Sequence, residues 1–305
     1  MNNVVIKAAG DMLISGNVTG QVPQAYRLPG LNAVPVRVPS LLNTVMGGTI
    51  SSNLVEWVYQ SGKDGAAGQT AEGATKNQID FDLVVGSQKV EKTTAYITIT
   101  DEMLGDPDFM ATAINDELSR ELLKAVESQV FSGSGVSPQM NGIYTVATAF
   151  SAPTGLAGAV DNANDVDVLI AAITQVRLAE QSEPNAIWMH PTDIAVLETT
   201  KVDATDRRYV AKLTNVAGSL NLNGINIYPS TLVTQGTFLV GDFTKAYVLT
   251  KDDLTIEIGY NADNFVKNYK TIRAEWRGVT YVKHNDRTAF VKGTFSTAKA
   301  ALETT

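Results

Sequence analysis

The chain has 305 residues, no cysteine, and 24 Lys and Arg against 32 Asp and Glu, which gives a net charge of −8 at pH 7. Without cysteine, a disulfide framework, a Cys-ligated zinc site, an iron–sulfur cluster and a thiol nucleophile are excluded. The two histidines, His190 and His284, leave little room for a multi-histidine metal site. The negative charge argues against a protein that wraps nucleic acid through a basic face. We expect neither a metal nor a cofactor.

The first 45 residues show no sustained periodicity. Pro23, Pro29, Pro35 and Pro39 disfavour a long helix and favour an extended backbone. The segment is either a loose terminus or an arm that binds a neighbour in extended form, and its many apolar residues favour the arm.

Targeting and membrane signals are absent from the sequence. Lys7 follows the apolar residues 4–6, and Asp11 interrupts what would be the apolar core of a secretory signal. The longest apolar stretch, residues 166–176, is shorter than the roughly 20 residues that a bilayer crossing needs. We therefore expect no membrane partner.

Residues 50–100 are typical of β-structure around a glycine-rich loop. A β-branched and aromatic segment, 54–59, precedes the loop SGKDGAAGQTAEGAT, and a second strand follows at 79–85. In that second strand Ile79, Phe81 and Leu83 alternate with aspartates, and residues 93–100 alternate again. This pattern predicts a long hairpin that projects from the body, although an ordinary hairpin lying on its own domain has the same pattern.

The clearest predicted helix covers residues 106–131. Asp106 is a candidate N-cap, and Pro107 suits the first helical position. Apolar residues recur at helical spacing: Ala111, Ile114, Leu118, Leu122, Ala125 and Val126. The polar residues expected to face away from them are Asp116, Arg120, Lys124 and Glu127.

The remainder mixes helices and strands. We predict helices at 165–181 and 194–198, the second capped by Thr192 or Asp193. Predicted strands cover 185–190, 225–228, 237–240, 246–249, 254–258, 271–282 and 288–295. Because strands and helices do not alternate strictly, the pattern favours an α+β fold.

Catalytic motifs are missing. The sequence contains no GxxxxGK[ST], GxSxG or HExxH pattern. His190 follows a predicted strand without a partner motif, which favours a structural role, and His284 is interpreted in the same way. A soluble hydrolase that uses His190 with Asp193 is the weakest alternative, and we do not expect an enzyme.

Several segments resemble, in the same order, a tailed-bacteriophage major capsid protein of the Hong Kong 97 type. The C-terminal ones are DNFVKN (263–268), TIRAE (271–275) and KGTF (292–295). The earlier ones are SSN (51–53), EWV (56–58), FSGSG (131–135), NGI (141–143), GINIYP (224–229) and GTFLVGDF (236–243).

The resemblance implies an α+β, Hong Kong 97-like capsid fold with two domains and two extensions. The peripheral domain, with a long spine helix and a long-stranded sheet, would comprise residues 46–54, 101–145 and 255–305. The axial domain would be 146–254, the extended loop 55–100, and the N-terminal arm 1–45.

The implied function is a major capsid protein that self-assembles as hexamers and pentamers into an icosahedral shell. The shell would enclose packaged double-stranded DNA without sequence specificity, within a virion assembled in the bacterial host cytoplasm. Further implied partners are a portal, a scaffold or maturation protease, and decoration proteins. An encapsulin-type nanocompartment shell protein is the alternative.

Some members of this family join their subunits by a lysine–asparagine isopeptide bond. By motif position, Asn268 matches the asparagine and Glu275 the proton-accepting glutamate, while Lys76 is the nearest match for the lysine and Lys63 another candidate. The Lys amine would attack the Asn carboxamide carbon and release ammonia, and a desolvated Glu275 would take the proton. Asn268 and Glu275 equally suit a purely structural motif.

Many family members begin with a charged, helical scaffolding segment that a protease removes. No coiled-coil pattern precedes residue 45. We therefore expect either a matured chain or a separate scaffold protein.

Overall fold

The computed structural model describes residues 5–6, 18–19, 41–105, 110–180, 183–201, 213–216 and 219–304. The chain divides into two units, Met1–Pro35 and Val36–Thr305. In the first unit, strands β1 (Val5–Ile6) and β2 (Val18–Thr19) pair antiparallel. The rest of the predicted arm, up to residue 40, lies outside the described residues.

The second unit mixes strands and helices, as expected for an α+β fold. Its strands are β3 (Met46–Thr49), β4 (Leu54–Asp64), β5 (Asp80–Lys89), β6 (Glu91–Thr100), β7 (Thr148–Ala149), β8 (Ala186–Met189), β9 (Leu213–Val216), β10 (Ser219–Leu222), β11 (Ile225–Pro229), β12 (Thr237–Gly241), β13 (Ala246–Gly259), β14 (Tyr269–Val282) and β15 (Phe290–Thr294). Its helices are α1 (Asp101–Gly105), α2 (Met110–Ser132), α3 (Ile143–Val146), α4 (Asp165–Glu180), α5 (Pro191–Thr199) and α6 (Phe295–Leu302). Short 3₁₀ helices span Leu41–Asn43, Phe243–Lys245, Ala262–Asn264 and His284–Ala289.

A seven-stranded sheet in the order β7-β15-β12-β8-β11-β10-β9 forms one half of this unit. All four residues of its inner strand β8 are buried. Ile187 and Met189 pack in one apolar cluster with α4 and α6, and Trp188 packs in a second cluster on the opposite face. Because both faces are covered, β8 is a continuous apolar run without polar alternation.

A four-stranded sheet in the order β3-β13-β14-β6 forms the other half. On its central strand β14, the buried residues Ile272, Ala274 and Trp276 alternate with the more exposed Arg273 and Glu275. The buried set belongs to the same apolar cluster as the core-facing residues of α2. The long helix therefore covers one face of this sheet and leaves the polar face exposed. This follows from strand geometry, because successive side chains point to opposite faces of a sheet.

The strands β4 and β5 form a separate two-stranded antiparallel hairpin. Its register runs from Leu54 opposite Lys89 to Asp64 opposite Asp80. The predicted hairpin is confirmed for these two strands. The third alternating segment does not belong to it, because β6 pairs with β14 along its whole length.

Most predicted elements are confirmed, with small shifts at their ends. The helix predicted at 106–131 is α2, and its proposed cap at Asp106 and Pro107 lies outside the described residues. The two strands predicted at 246–249 and 254–258 are one strand, β13, which absorbs the interruption through register shifts between Thr250 and Thr255.

The predictions for residues 288–295 and for Glu127 are wrong. Residues 288–295 do not form one strand, because a 3₁₀ helix occupies 284–289 and only β15 is extended. Glu127 does not face away from the apolar side of α2: it is completely buried and accepts a hydrogen bond from the Leu41 backbone N–H at 2.7 Å. A carboxylate inside a core needs such donors, and the backbone at residue 41 supplies one.

Candidate assembly surfaces

The base of the hairpin rests on the end of β14 and the 3₁₀ turn that follows it. Trp57 stacks on Tyr281 with ring centroids 5.2 Å apart, and Tyr59 stacks on His284 at 4.3 Å. The Asn285 Nδ2 atom donates to the Gln60 carbonyl at 3.1 Å. These contacts fix the direction in which the hairpin leaves the body.

Trp57 can lie flat on the hairpin because its cross-strand partner is Gly86. A Cβ atom at position 86 would sit 2.7 Å from Trp57 Cε2, well inside contact distance. The absence of a side chain at Gly86 therefore leaves room for the Trp57 indole, which stacks on Tyr281.

One face of the hairpin carries an exposed apolar stripe. It consists of Val58, Ile79, Phe81, Leu83 and Val85. Their exposed fractions run from 47% at Ile79 to 64% at Val58, and Val58 lies directly opposite Val85. We call these residues the hairpin stripe. Contiguous exposed apolar surface of this kind is typical of a protein-binding face.

A cleft of about 430 Å³ opens at the end of the four-stranded sheet where β13 ends and β14 begins. The side chains of Tyr96 and Tyr260 form aromatic walls, and Glu257, Thr271 and Arg273 supply polar groups. The Arg273 guanidinium bonds to the Glu257 carboxylate at 2.7 Å. Both tyrosines are more than half exposed, so the cleft is open to solvent rather than enclosed. We call it the sheet-end cleft.

Ion pairs run across the open face beside this cleft. The Glu275 carboxylate lies 3.1 Å from Lys92 Nζ and 3.3 Å from Arg273 Nε, and Arg277 pairs with Asp252 at 3.0 Å. These side chains are partly exposed, so each pair contributes less than about 1 kcal/mol to stability. The pairs order the polar face more than they stabilise the fold.

The structure separates the three candidate cross-linking residues. Lys76 is exposed in the tip of the hairpin, residues 65–79, and Asn268 is exposed just before β14. Glu275 lies on β14, six positions beyond its first residue, Tyr269, which corresponds to roughly 20 Å at about 3.3 Å per residue. Glu275 pairs with Lys92 and Arg273 of its own chain, and its role as a desolvated proton acceptor stays a prediction.

Asn268 has a left-handed backbone with φ of 54°, which asparagine tolerates better than most residues. Its carbonyl accepts from the Asp101 N–H at 2.9 Å, and Lys270 pairs with the Asp101 carboxylate at 3.0 Å. The hydrogen bond and the charge of Asp101 raise the pKa of Lys270. The segment that carries Asn268 is thereby fastened to the start of α1.

His190 and Asp193 do not form a catalytic pair. His190 is the N-cap of α5, and its Nδ1 accepts from the Thr192 backbone N–H at 3.3 Å. Asp193 instead accepts from the Gly236 N–H at 2.7 Å. The predicted caps, Thr192 and Asp193, are therefore wrong: the imidazole nitrogen fills that role because Pro191 begins the helix.

The contact between Lys292 and helix α3 was not predicted from the sequence. From β15 its Nζ donates to the carbonyls of Tyr144 and Thr145 at 2.8 and 3.1 Å, which are the last turn of α3. Partial burial lowers the pKa of this lysine. A cation at a helix C-terminus is favourable, so Lys292 joins the seven-stranded sheet to the end of α3.

Within the described ranges, no cluster of three or more acidic or histidine side chains could hold a metal ion. Among the same residues, no helix combines the length and apolar character needed to cross a membrane.

Comparison with known proteins identifies the family. The model of the phage capsid family matches residues 22–294. The major capsid protein of Enterobacteria phage HK97 is 28% identical over 282 residues, which cover 91% of this chain and 70% of that protein.

Solved structures show the same fold. A chain from Mycobacterium phage Bobi matches with a TM-score of 0.70 at 13% identity, over 90% of this chain and 95% of the other. The capsid of a native GTA particle matches with a TM-score of 0.68 at 15% identity, over 93% and 98%. These likenesses favour neither an encapsulin shell nor a hydrolase. The chain belongs to the phage capsid family and is a major capsid protein with the Hong Kong 97 fold.

Proposed function

We propose that this capsid protein assembles with copies of itself, as hexamers and pentamers, into an icosahedral shell around phage DNA. The hairpin stripe is the observation that carries the proposal. A two-stranded hairpin is marginally stable on its own, and the described part of the chain leaves five apolar side chains of this one between 47% and 64% exposed. Burial against a second copy supplies that cover, and closed symmetry repeats the contact in every subunit.

We propose the division into domains on the same basis. The axial domain corresponds to the seven-stranded sheet and the peripheral domain to α2 with the four-stranded sheet. Strand pairing supports two changes to the boundaries drawn from the sequence. Residues 246–254 belong with the four-stranded sheet, and residues 290–302, in β15 and α6, belong with the seven-stranded sheet. The hairpin itself then ends at residue 89, before β6.

The remaining partners follow from the family. We propose that the shell forms in the host cytoplasm with a portal and with a scaffold or maturation protease, and that it accepts decoration proteins. The net charge of −8 supports weak, non-specific contact with the enclosed DNA, because few cations are available to neutralise phosphates.

Isopeptide cross-linking stays a proposal, and the geometry constrains it. Since Asn268 precedes β14 and Glu275 lies roughly 20 Å along that strand from Tyr269, at about 3.3 Å per residue, we propose that the two groups come from different subunits. The bond would form between Lys76 of one copy and Asn268 of another, with Glu275 supplied by a third. A denaturing gel of mature particles tests this: covalent multimers are expected, and monomer bands alone would contradict it.

Negative-stain microscopy and size-exclusion chromatography of the full chain test self-assembly. Closed shells of uniform diameter are expected in the void volume. A chain that stays monomeric in the presence of its scaffold protein would overturn the proposal.

A further inference from the structure

The described part of the body supports the hairpin along the first part of its length. Residues 55, 57 and 59 of β4 are half-buried and alternate with exposed neighbours, whereas residues 80–85 of β5 are all exposed. The supported face carries Trp57 and Tyr59, and the hairpin stripe, which includes Val58, lies on the other face. Beyond Tyr59 the hairpin is therefore a lever whose direction is set at its root.

The first contact of the hairpin with the body continues into a stack of aromatic rings. Trp57 stacks on Tyr281 at 5.2 Å, and Tyr281 stacks on Tyr247, its cross-strand partner, at 5.1 Å. Lys283 Nζ lies 5.5 Å from the centroid of the Tyr247 ring. Stacked rings and a cation over a ring face are favourable contacts. Because Tyr247 and Tyr281 belong to the paired strands β13 and β14, this contact is anchored in the sheet.

The second contact lies two residues further along β4. Tyr59 stacks on His284 with ring centroids 4.3 Å apart and planes 20° apart, and Asn285 Nδ2 donates to the Gln60 carbonyl at 3.1 Å. We call the stacks of Trp57 and Tyr59, together with this hydrogen bond, the root clasp. Two attachments roughly 7 Å apart, at about 3.3 Å per residue, fix the tilt of a strand, whereas one attachment leaves it free to pivot.

A small rotation at the root produces a large displacement at the tip. Strand β4 is roughly 33 Å long from Leu54 to Asp64, at about 3.3 Å per residue, so a rotation of about 10° moves Asp64 by roughly 6 Å. Apolar side chains stay in contact only within about 4.0–4.5 Å. A hairpin that pivots by that angle therefore cannot keep one set of contacts with a second copy.

We infer that the root clasp sets the angle of the hairpin and, through it, the curvature of the shell, so that Tyr59 and His284 select a single shell diameter. This inference rests on the proposed self-assembly and names residues that determine its geometry. Repeated contacts close into a shell of one size only when the angle between neighbouring copies is fixed. The hairpin stripe, whose burial against a second copy carries the proposed function, takes that angle from the clasp.

Spin labelling tests the first half of the inference on unassembled subunits. The cysteine-free chain accepts labels at Lys63→Cys, near the end of β4, and at Leu178→Cys, on α4, both exposed positions. Pulsed electron paramagnetic resonance then measures the distance between the two labels. We expect one narrow distance distribution in this parent chain. The added changes His284→Ala and Asn285→Ala, both at exposed residues, remove the second contact and should widen the distribution.

Negative-stain microscopy of the His284→Ala, Asn285→Ala chain, without labels, tests the second half. Wild-type shells should have one diameter, whereas this double variant should lose it and give particles of several diameters or open sheets. His284→Phe is the matched control, because it keeps a ring on Tyr59. It should retain both the narrow distance distribution and the single diameter. If the double variant does not fold, Tyr59→Leu removes the same stack from the hairpin side and should have the same effects.

The outcomes separate this inference from the proposed function. Absence of shells from the wild-type chain would contradict self-assembly, and the inference would fail with it. Shells of a single diameter from the double variant would overturn the role of the clasp and leave self-assembly intact. A distance distribution as narrow as that of the parent chain would do the same, because the angle of the hairpin would then be fixed without His284 and Asn285.

Discussion

The seven-stranded sheet and the β4–β5 hairpin use similar residues and end in opposite environments. The inner strand β8 has neighbours on both edges and apolar clusters on both faces, so all its side chains are buried. Within the described residues the hairpin strands pair only with each other, and the side chains of one apolar face are largely exposed. β-branched and aromatic composition therefore specifies a strand, whereas the partners of that strand decide which of its faces are covered.

Phe238→Ala in the seven-stranded sheet should destabilise the subunit more than the other variants described below. Phe238 is completely buried, with its ring centroid 5.1 Å from Phe295 and 6.0 Å from Phe150. Removing the ring leaves a cavity and should lower the free energy of unfolding of the subunit by about 3–5 kcal/mol. Chemical denaturation of unassembled subunits measures it, and a loss below about 1 kcal/mol would contradict the enclosed core.

Glu127→Ala probes the buried carboxylate of α2. The variant leaves the Leu41 N–H without its acceptor, and we expect a loss of about 1–3 kcal/mol in the free energy of unfolding. Glu127→Gln keeps a carbonyl acceptor and serves as the matched control, with a smaller loss. Equal losses in the two variants would show that the hydrogen bond is not the cause.

Asn164→Ala tests the start of α4. The Asn164 Oδ1 atom accepts from the backbone N–H groups of Val166 and Asp167 at 2.9 and 3.1 Å. Losing this cap should reduce the free energy of unfolding by about 1 kcal/mol. Thermal unfolding followed by circular dichroism measures the change, with Asn164→Asp, which retains an acceptor, expected to stay close to wild type.

The smallest effect on the subunit, and the largest on assembly, is expected for Leu83→Ser in the hairpin stripe. Its exposed side chain contributes little to the isolated fold, so the free energy of unfolding should stay within about 0.5 kcal/mol of wild type. The fraction of protein in shells, measured by sedimentation, should fall sharply.

Val84→Ser, on the opposite face of β5, is the matched control for that stripe. It should assemble more completely than Leu83→Ser. Equal assembly of the two variants would remove the stripe from the interface.

The sequence predicted the long helix and most strands because their periodicity is local. The spacing of Ile114, Leu118 and Leu122 marks α2, and the alternation around Phe81 marks β5. The burial of Glu127 could not be predicted, because the Leu41 N–H that donates to its carboxylate lies 86 positions away in the sequence. The sheet-end cleft could not be predicted either. Tyr96 and Tyr260 are distant in the sequence, and they line one cleft only because β6 pairs with β14 and β14 pairs with β13.

The candidate site residues show the same limit. Motif order placed Lys76, Asn268 and Glu275 at recognisable positions, but their distances depend on strand geometry and on other copies of the chain. Spacing in the sequence gave no indication that Lys92 and Arg273 would flank Glu275, because Lys92 comes from another strand.

The single residue between β5 and β6 has a mechanical consequence. A pull on the hairpin passes through Val90 directly into β6, whose residues pair with β14 from Glu91 opposite Gly278 to Thr100 opposite Tyr269. A force along β6 loads that ladder in shear, so many hydrogen bonds must yield together, whereas peeling would break them one at a time. A force that strains the hairpin is thereby borne by the long sheet.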